Sequence, residues 1–273
     1  MLKSPLNYAG SKHKLMPQLI THFPDKDSVD IFYDVFAGGL SVSINTEYNK
    51  VISNDVIKPL ILFYKNLQDA IDSELEISKI KSFAVDKNSQ ADFLRVREEF
   101  NKTSDDPYLF FALVSSCTNN MMRFNRNFKF NQTFGKRTMN DNTFEKLKSY
   151  FDVIKSKKML FTNYHYRELF DKHFPKKGDF VYLDPPYVSE LTEAGYNSYW
   201  TKQDEEYLYD LLDRFDSEGI RFALSGVSVH KGINNPYMNR LNKYNVINLE
   251  HSYEGVARIK NVGQSQEILV INY

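Results

Sequence analysis

The chain has 273 residues, 42% of them hydrophobic and 15% aromatic, enough to bury the core of one large domain or of a core with a sizeable insert. Formal net charge is zero, so a nucleic-acid partner would have to be met by clustered rather than overall positive charge. Cys117 is the only cysteine, which excludes a disulfide framework and a cysteine-rich metal site and fits a reducing compartment.

The start, MLKSPLNYAGSKHKL, is too polar for a signal peptide, and no apolar run approaches the length of a membrane span. Residues 1–24 carry Lys3, Lys12, His13 and Lys14 and no acid. Short apolar runs bounded by Gly, Asn, Asp or Pro then predict buried strands over 31–37, 51–54, 159–162, 180–183, 221–225, 245–250 and 268–272. Helical patterns fall over 59–70, 89–100, 107–116, 143–154 and 202–218. This alternation predicts an α/β fold with a parallel sheet covered on both faces.

The first strand runs into Asp34-Val35-Phe36-Ala37-Gly38-Gly39-Leu40-Ser41, where glycines let backbone approach a ligand closely and Ser41 can cap the next helix. The dinucleotide pattern G-x-G-x-x-G is missing, which counts against a nicotinamide or flavin enzyme. Asp55 ends the second strand, placed either to bind the ribose hydroxyls of a nucleoside-containing cofactor or to cap the helix that follows. More than a hundred residues then precede the third strand, where a crossover needs roughly a dozen. We therefore expect an inserted helical domain over 58–156, with 1–57 and 157–273 forming the core.

Within that insert, residues 118–140 contain no acid but include Arg123, Arg126, Lys129, Lys136 and Arg137 among Phe124, Phe128, Phe130, Phe134 and several Asn. That mixture suits phosphates and base edges. Further on, the apolar Phe180-Val181-Tyr182-Leu183 leads into Asp184-Pro185-Pro186-Tyr187. Consecutive prolines end the strand and fix an acid and an aromatic ring at the carboxyl edge of the sheet, where open α/β sheets bind ligands. The Asp184 carboxylate and the Pro185 carbonyl could accept the two N–H protons of a planar amine and aim its lone pair at an electrophilic methyl. Tyr187 could stack on a base rotated out of a duplex. With no Pro-Cys motif, the cysteine-nucleophile route to carbon-5 of cytosine is not expected. The last two strands, joined by a hairpin-like loop over 255–263, should be antiparallel.

A glycine motif, then an insert, then the tetrad, together with Asn7-Tyr8-Ala9-Gly10-Ser11-Lys12, resembles the Dam family of DNA adenine-N6 methyltransferases over nearly the whole chain, particularly its phage members. The resemblance implies a Rossmann-like, seven-stranded S-adenosylmethionine-dependent methyltransferase sheet with an antiparallel C-terminal strand and a helical target-recognition domain. It implies that Tyr8, Ala9, Gly10 and Lys12 hold S-adenosylmethionine with Phe36, Gly38, Gly39, Asp55 and Asp184, that S-adenosylhomocysteine is the product, and that no metal takes part. Asp184, Pro185 and Tyr187 would be catalytic.

Double-stranded DNA is the expected partner, met by a monomer or weak dimer in the cytoplasm of a bacterial or phage-infected cell. Asn119 to Asn125 and Thr133 to Thr138 (the latter at the tip of a hairpin) resemble the family's recognition elements. Arg137 would read a guanine and Arg123 a second base. Arg126, Lys129, Lys136 and Thr133 would join them at the DNA, the lysines on phosphates. Met121 could touch a thymine methyl, wedge beside a vacated base, or be a helix core residue. Members acting on GATC commonly have Pro at the position of Thr133 and Ser-Asn at that of Ser225-Gly226, so GATC is weakened as the target. Two other readings share these features: an RNA or protein amine methyltransferase using the same tetrad, and a DNA-binding regulator on an inactive scaffold.

Overall fold

The computed structural model describes residues 1–6, 8, 10–125, 127–186, 200–230, 232–250 and 265–273. In chain order the elements are α1 (Met16–His22), β1 (Phe32–Asp34), β2 (Lys50–Asn54), α2 (Lys58–Asp69), α3 (Ser73–Ser82), α4 (Gln90–Thr103), α5 (Pro107–Ser116), α6 (Asp141–Ser156), β3 (Lys158–Thr162), α7 (Tyr166–Lys172), β4 (Phe180–Leu183), α8 (Lys202–Ser217), β5 (Arg221–His230), β6 (Ile233–Asn234), α9 (Met238–Leu241), β7 (Asn245–Asn248) and β8 (Gln266–Ile271). The fold is α/β, as the alternating pattern predicts. The chain divides into two compact units, Met1–His13 with Ala37–Leu169 and Lys14–Phe36 with Phe170–Tyr273.

In the first unit β2 and β3 pair in parallel, Val51 opposite Met159 and Asn54 opposite Thr162. Helix α5 is its axis. Pro107 opens it, the Asp106 carboxylate accepts the N–H groups of Tyr108 and Leu109 at 2.9 Å, and Phe110, Phe111, Leu113 and Val114 are fully buried around its circumference. Phe63 of α2 stacks on Phe111 with ring centres 4.5 Å apart. Helix α6 starts at a capping box in which Asn140 and Thr143 satisfy each other's backbone N–H, and it buries Leu147, Tyr150, Phe151 and Ile154 on one stripe. Helix α3 does not stand out in the sequence, because only Ile77 and Ile80 of its ten residues are buried.

In the second unit β1, β4 and β5 run parallel, and β5 pairs antiparallel with β8, which pairs antiparallel with β7. The expected antiparallel C-terminal strand is therefore present, while the loop expected over 255–263 lies outside the described residues. Strand β4 is buried at all four positions between its neighbours, which accounts for its unbroken apolar run. Strand β1 is shorter than its apolar run. Only Phe32–Asp34 form the strand; Val35 still donates to the Tyr182 carbonyl at 3.1 Å before the chain turns into the glycines. Strand β5 is longer than expected, continuing through Gly226 with a bulge between Val227 and Val229. Helix α8 is opened by a second capping box, Thr201 with Asp204.

Candidate active site and nucleic-acid interface

The glycine turn of the first unit is held from three sides. The ring of Tyr8 lies on it so closely that a Cβ at Gly38 would sit 2.8 Å from Tyr8 Cε1, and one at Gly39 would sit 3.0 Å from Tyr8 Cβ. Gly38 also has φ +46°, so both space and backbone require glycine there. The Gly38 carbonyl accepts the Tyr64 hydroxyl at 2.8 Å, and the Gly39 carbonyl accepts the Tyr150 hydroxyl at 2.8 Å. Both tyrosines are fully buried, one on α2 and one on α6. The Ser11 and Ser41 hydroxyls lie 2.7 Å apart.

The N-terminal motif and the glycine turn, some thirty residues apart in sequence, are thus one structure. Sequence reasoning missed Tyr64 and Tyr150, because on an amphipathic helix a buried tyrosine looks like any core aromatic. Two of the helices expected to form a separate recognition domain over 58–156 also share this unit with the glycine turn and fix it through these hydroxyls.

Asp55 is 6% exposed and is held by backbone N–H groups on two sides. One carboxylate oxygen accepts the Gly38 N–H and the other the Ile57 N–H, each at 2.9 Å. Burial raises its pKa, opposed by these backbone hydrogen bonds. Lys12 is buried in a short 3₁₀ turn, its ammonium 3.4 Å from the Gly10 carbonyl. A carboxylate for hydroxyls, an ammonium for a carboxylate and a tyrosine ring for a heterocycle form a donor set that fits an amino-acid nucleoside cofactor. Ala9 lies outside the described residues.

In the second unit Asp184, Pro185 and Pro186 follow directly from the carboxyl end of β4 and are half-buried. Pro185 and Pro186 line a shallow open cleft with Tyr209, Leu224, Gly226 and Asn235. Behind it the Tyr182 and Ser225 hydroxyls meet at 2.7 Å, so Ser225 braces the two central strands. At Gly226 a Cβ would meet nothing within 4 Å. Phe36 lies edge-on to Trp200, ring centres 5.7 Å apart, and the Trp200 indole N–H donates to the buried Glu205. Tyr187 lies outside the described residues.

The basic segment begins where α5 ends. Met121 follows a 3₁₀ turn, Thr118–Asn120, in extended backbone and is half-buried, so it is not a helix core residue. Arg137 is exposed at its flank, with Nη1 donating to Asn120 Oδ1 at 2.8 Å; Asn120 in turn donates to the Val114 carbonyl at 2.9 Å, at the end of α5. Arg123, also exposed, reaches Asn131 through Nε and Nη2, each at 2.9 Å. The Lys129 ammonium donates to the Asn101 carbonyl at the end of α4, which ties the segment to that helix. Thr133 and Lys136 are exposed, and Arg126 lies outside the described residues. Phe134 bridges to Cys117, and Gly135 backs onto the same residue, where a Cβ would fall 2.4 Å from the Cys117 carbonyl oxygen. Burial pushes the Cys117 thiol up to about 12, which keeps it protonated and unreactive near neutral pH.

The profile of the D12 class N6 adenine-specific DNA methyltransferases matches residues 8–266. The chain belongs to this family. It is 34% identical over 285 residues to the type II methyltransferase M.FokI of Planomicrobium okeanokoites and 32% identical over 287 residues to the modification methylase StsI of Streptococcus sanguinis. In both pairs all of this chain but only 43% of the relative is covered, so the chain spans less than half the length of those relatives. A DNA adenine methylase of Serratia marcescens is 32% identical over 200 residues, covering 72% of this chain and 71% of that one. The particular likeness to phage members expected from the sequence finds no support among these relatives. The family's description is of adenine in DNA, unlike the RNA and protein amine methyltransferases weighed from the sequence.

Proposed function

We propose that this chain transfers a methyl group from S-adenosylmethionine to N6 of an adenine in duplex DNA, leaving S-adenosylhomocysteine, after rotating that adenine out of the stack. The observation that carries the reading is Asp184-Pro185 at the carboxyl end of β4 in a chain of the D12 class. Bound S-adenosylmethionine supplies an electrophilic methyl on a sulfonium. The chain's own residues do the rest. Lys12, Tyr8, Ala9, Gly10, Phe36, Gly38, Gly39 and Asp55 hold the cofactor, with Asp55 on its ribose. Asp184 and the Pro185 carbonyl accept the two N–H protons of the amine, which turns its lone pair toward the methyl. Tyr187 stacks on the extruded base. No metal and no covalent intermediate are needed.

Residues 58–156 serve target recognition, with Arg137 reading guanine, Arg123 a second base, Met121, Thr133 and Arg126 beside them, and Lys129 and Lys136 on phosphates. The enzyme acts as a monomer or weak dimer on DNA in the cytoplasm. Of candidate target sites, GATC is the one the family suggests and Thr133 disfavours. Asp184→Ala should lower methyl transfer by at least about 10²-fold while duplex binding survives. Turnover that persists in Asp184→Ala would contradict the role given to its carboxylate.

A further inference from the structure

Helix α8 carries an acid where its pattern calls for an apolar residue. Its buried stripe includes Glu205, Leu208, Tyr209, Leu212 and Phe215, and Glu205 is only 4% exposed. A carboxylate taken out of water costs free energy unless hydrogen bonds replace the water, so an acid on a core stripe needs partners. Both of its oxygens have them. Oε1 accepts the hydroxyl of Tyr209, one turn further along the helix, at 2.9 Å. Oε2 accepts the indole N–H of Trp200. Burial, and then the Glu205 charge beside it, raise the pKa of the Tyr209 hydroxyl, which therefore stays protonated and a donor. The Tyr209 ring is itself stacked on Tyr237, ring centres 5.0 Å apart, so the acid is held from behind.

Trp200, the only tryptophan of the chain, stands just before the Thr201 cap of α8 and is buried. Its N–H is fixed by Glu205, and its ring meets Phe36 edge-on. Phe36 is half-buried and lies between the end of β1 and the glycine turn. Phe36, Trp200, Glu205 and Tyr209 all belong to the second unit. Another apolar ring could fill the space of Trp200, but nothing would fix its plane. The charge-assisted bond from the indole N–H to Glu205 is directional, so it sets the edge that Phe36 meets. For stability an apolar side chain of similar size often serves as well as a buried charge; what the acid adds here is orientation.

We propose that Glu205 is a positioning residue which, through the Trp200 indole, holds Phe36 in place for the cofactor. The inference rests on the methyltransferase reading above, in which Phe36 is one of the cofactor residues, and deepens it by naming what orients that residue. Glu205→Met fills a similar volume and removes both acceptors, whereas Glu205→Gln keeps an acceptor for Trp200 and a donor for the Tyr209 oxygen. In Glu205→Met the KM for S-adenosylmethionine and the calorimetric dissociation constant of S-adenosylhomocysteine should rise about 10- to 100-fold, with kcat at saturating cofactor within about twofold of the parent. Tryptophan fluorescence, which reports Trp200 alone, should become more open to quenching by acrylamide. Glu205→Gln should restore both properties. A lowered melting temperature with unchanged cofactor affinity, a fall in kcat alone, or a Gln variant no better than Met would each overturn the proposal. Should the Met variant not fold, Trp200→Phe, which keeps a ring beside Phe36 but loses the N–H, should raise KM in the same way, and an unchanged KM there would overturn it. A parent chain that binds no S-adenosylmethionine would instead strike the wider reading, so the two failures are distinguishable.

Discussion

Lys157 carries a cation into a partly buried place just before β3. Its ammonium donates to the Ser43 carbonyl at 2.8 Å and to the Thr46 carbonyl, tying down the segment that follows the glycine turn. Burial lowers its pKa to about 8, with Glu47 acting the other way. Below pH 8 both the folded and the unfolded chain hold the proton, so the cost of burying the charge is carried in full. Between about 8 and the ordinary 10.5 the folded chain has released a proton that the unfolded chain still binds, so this residue's contribution to stability rises with pH. Unfolding of the parent chain and of Lys157→Met, followed from pH 7 to 10.5, should therefore show the difference moving in favour of the parent. A flat difference would mean that Lys157 is not desolvated. Asp55 illustrates the same scale: one carboxylate accepts the N–H groups of both Gly38 and Ile57, joining the glycine turn to the start of α2.

At the scale of elements, the join between α5 and the basic segment depends on one glycine. A Cβ at Gly135 would meet the backbone of Cys117 and Thr118 at 2.4 to 2.7 Å, and backbone cannot swing aside as a side chain can. Gly135→Ala should cost about 1–3 kcal/mol in stability by forcing the loop off α5, whereas Gly226→Ala, with nothing within 4 Å, should be nearly neutral. Thermal unfolding of the two variants side by side decides this; equal stabilities would contradict it.

Much of the scaffold was legible because β2, β3, β4 and β8 are apolar runs closed by Asn, Asp or Pro. Helix α3 was not, since a ten-residue helix that buries two isoleucines has little periodicity to read. Nor was the extension of β5, because Gly226 interrupts the pattern that continues beyond it. The tetrad, the glycine turn and the acid-free segment could be found from residue types alone. The ring of Tyr8 on Gly38 and the hydroxyls of Tyr64 and Tyr150 on the turn could not, because they are contacts across tens of residues between side chains that also suit an ordinary core.

At the scale of the molecule, the chain distributes its candidate residues over two compact units. One carries the N-terminal motif, the glycine turn, Asp55 and the basic segment; the other carries Phe36 and the tetrad. Tyr64 and Tyr150, on helices of the expected insert, support the glycine turn, so the turn and those helices share one core in the first unit. Zero net charge is consistent with DNA as the partner because residues 118–140 carry five cations and no acid, a local excess of positive charge. The most direct test of the central claim incubates the chain with S-adenosylmethionine labelled in its methyl group and a panel of duplexes, GATC among them, then maps the modified base. Label is expected on N6 of adenine, confined to one sequence context. Label on cytosine, on RNA or protein offered in competition, or on no substrate at all would contradict it.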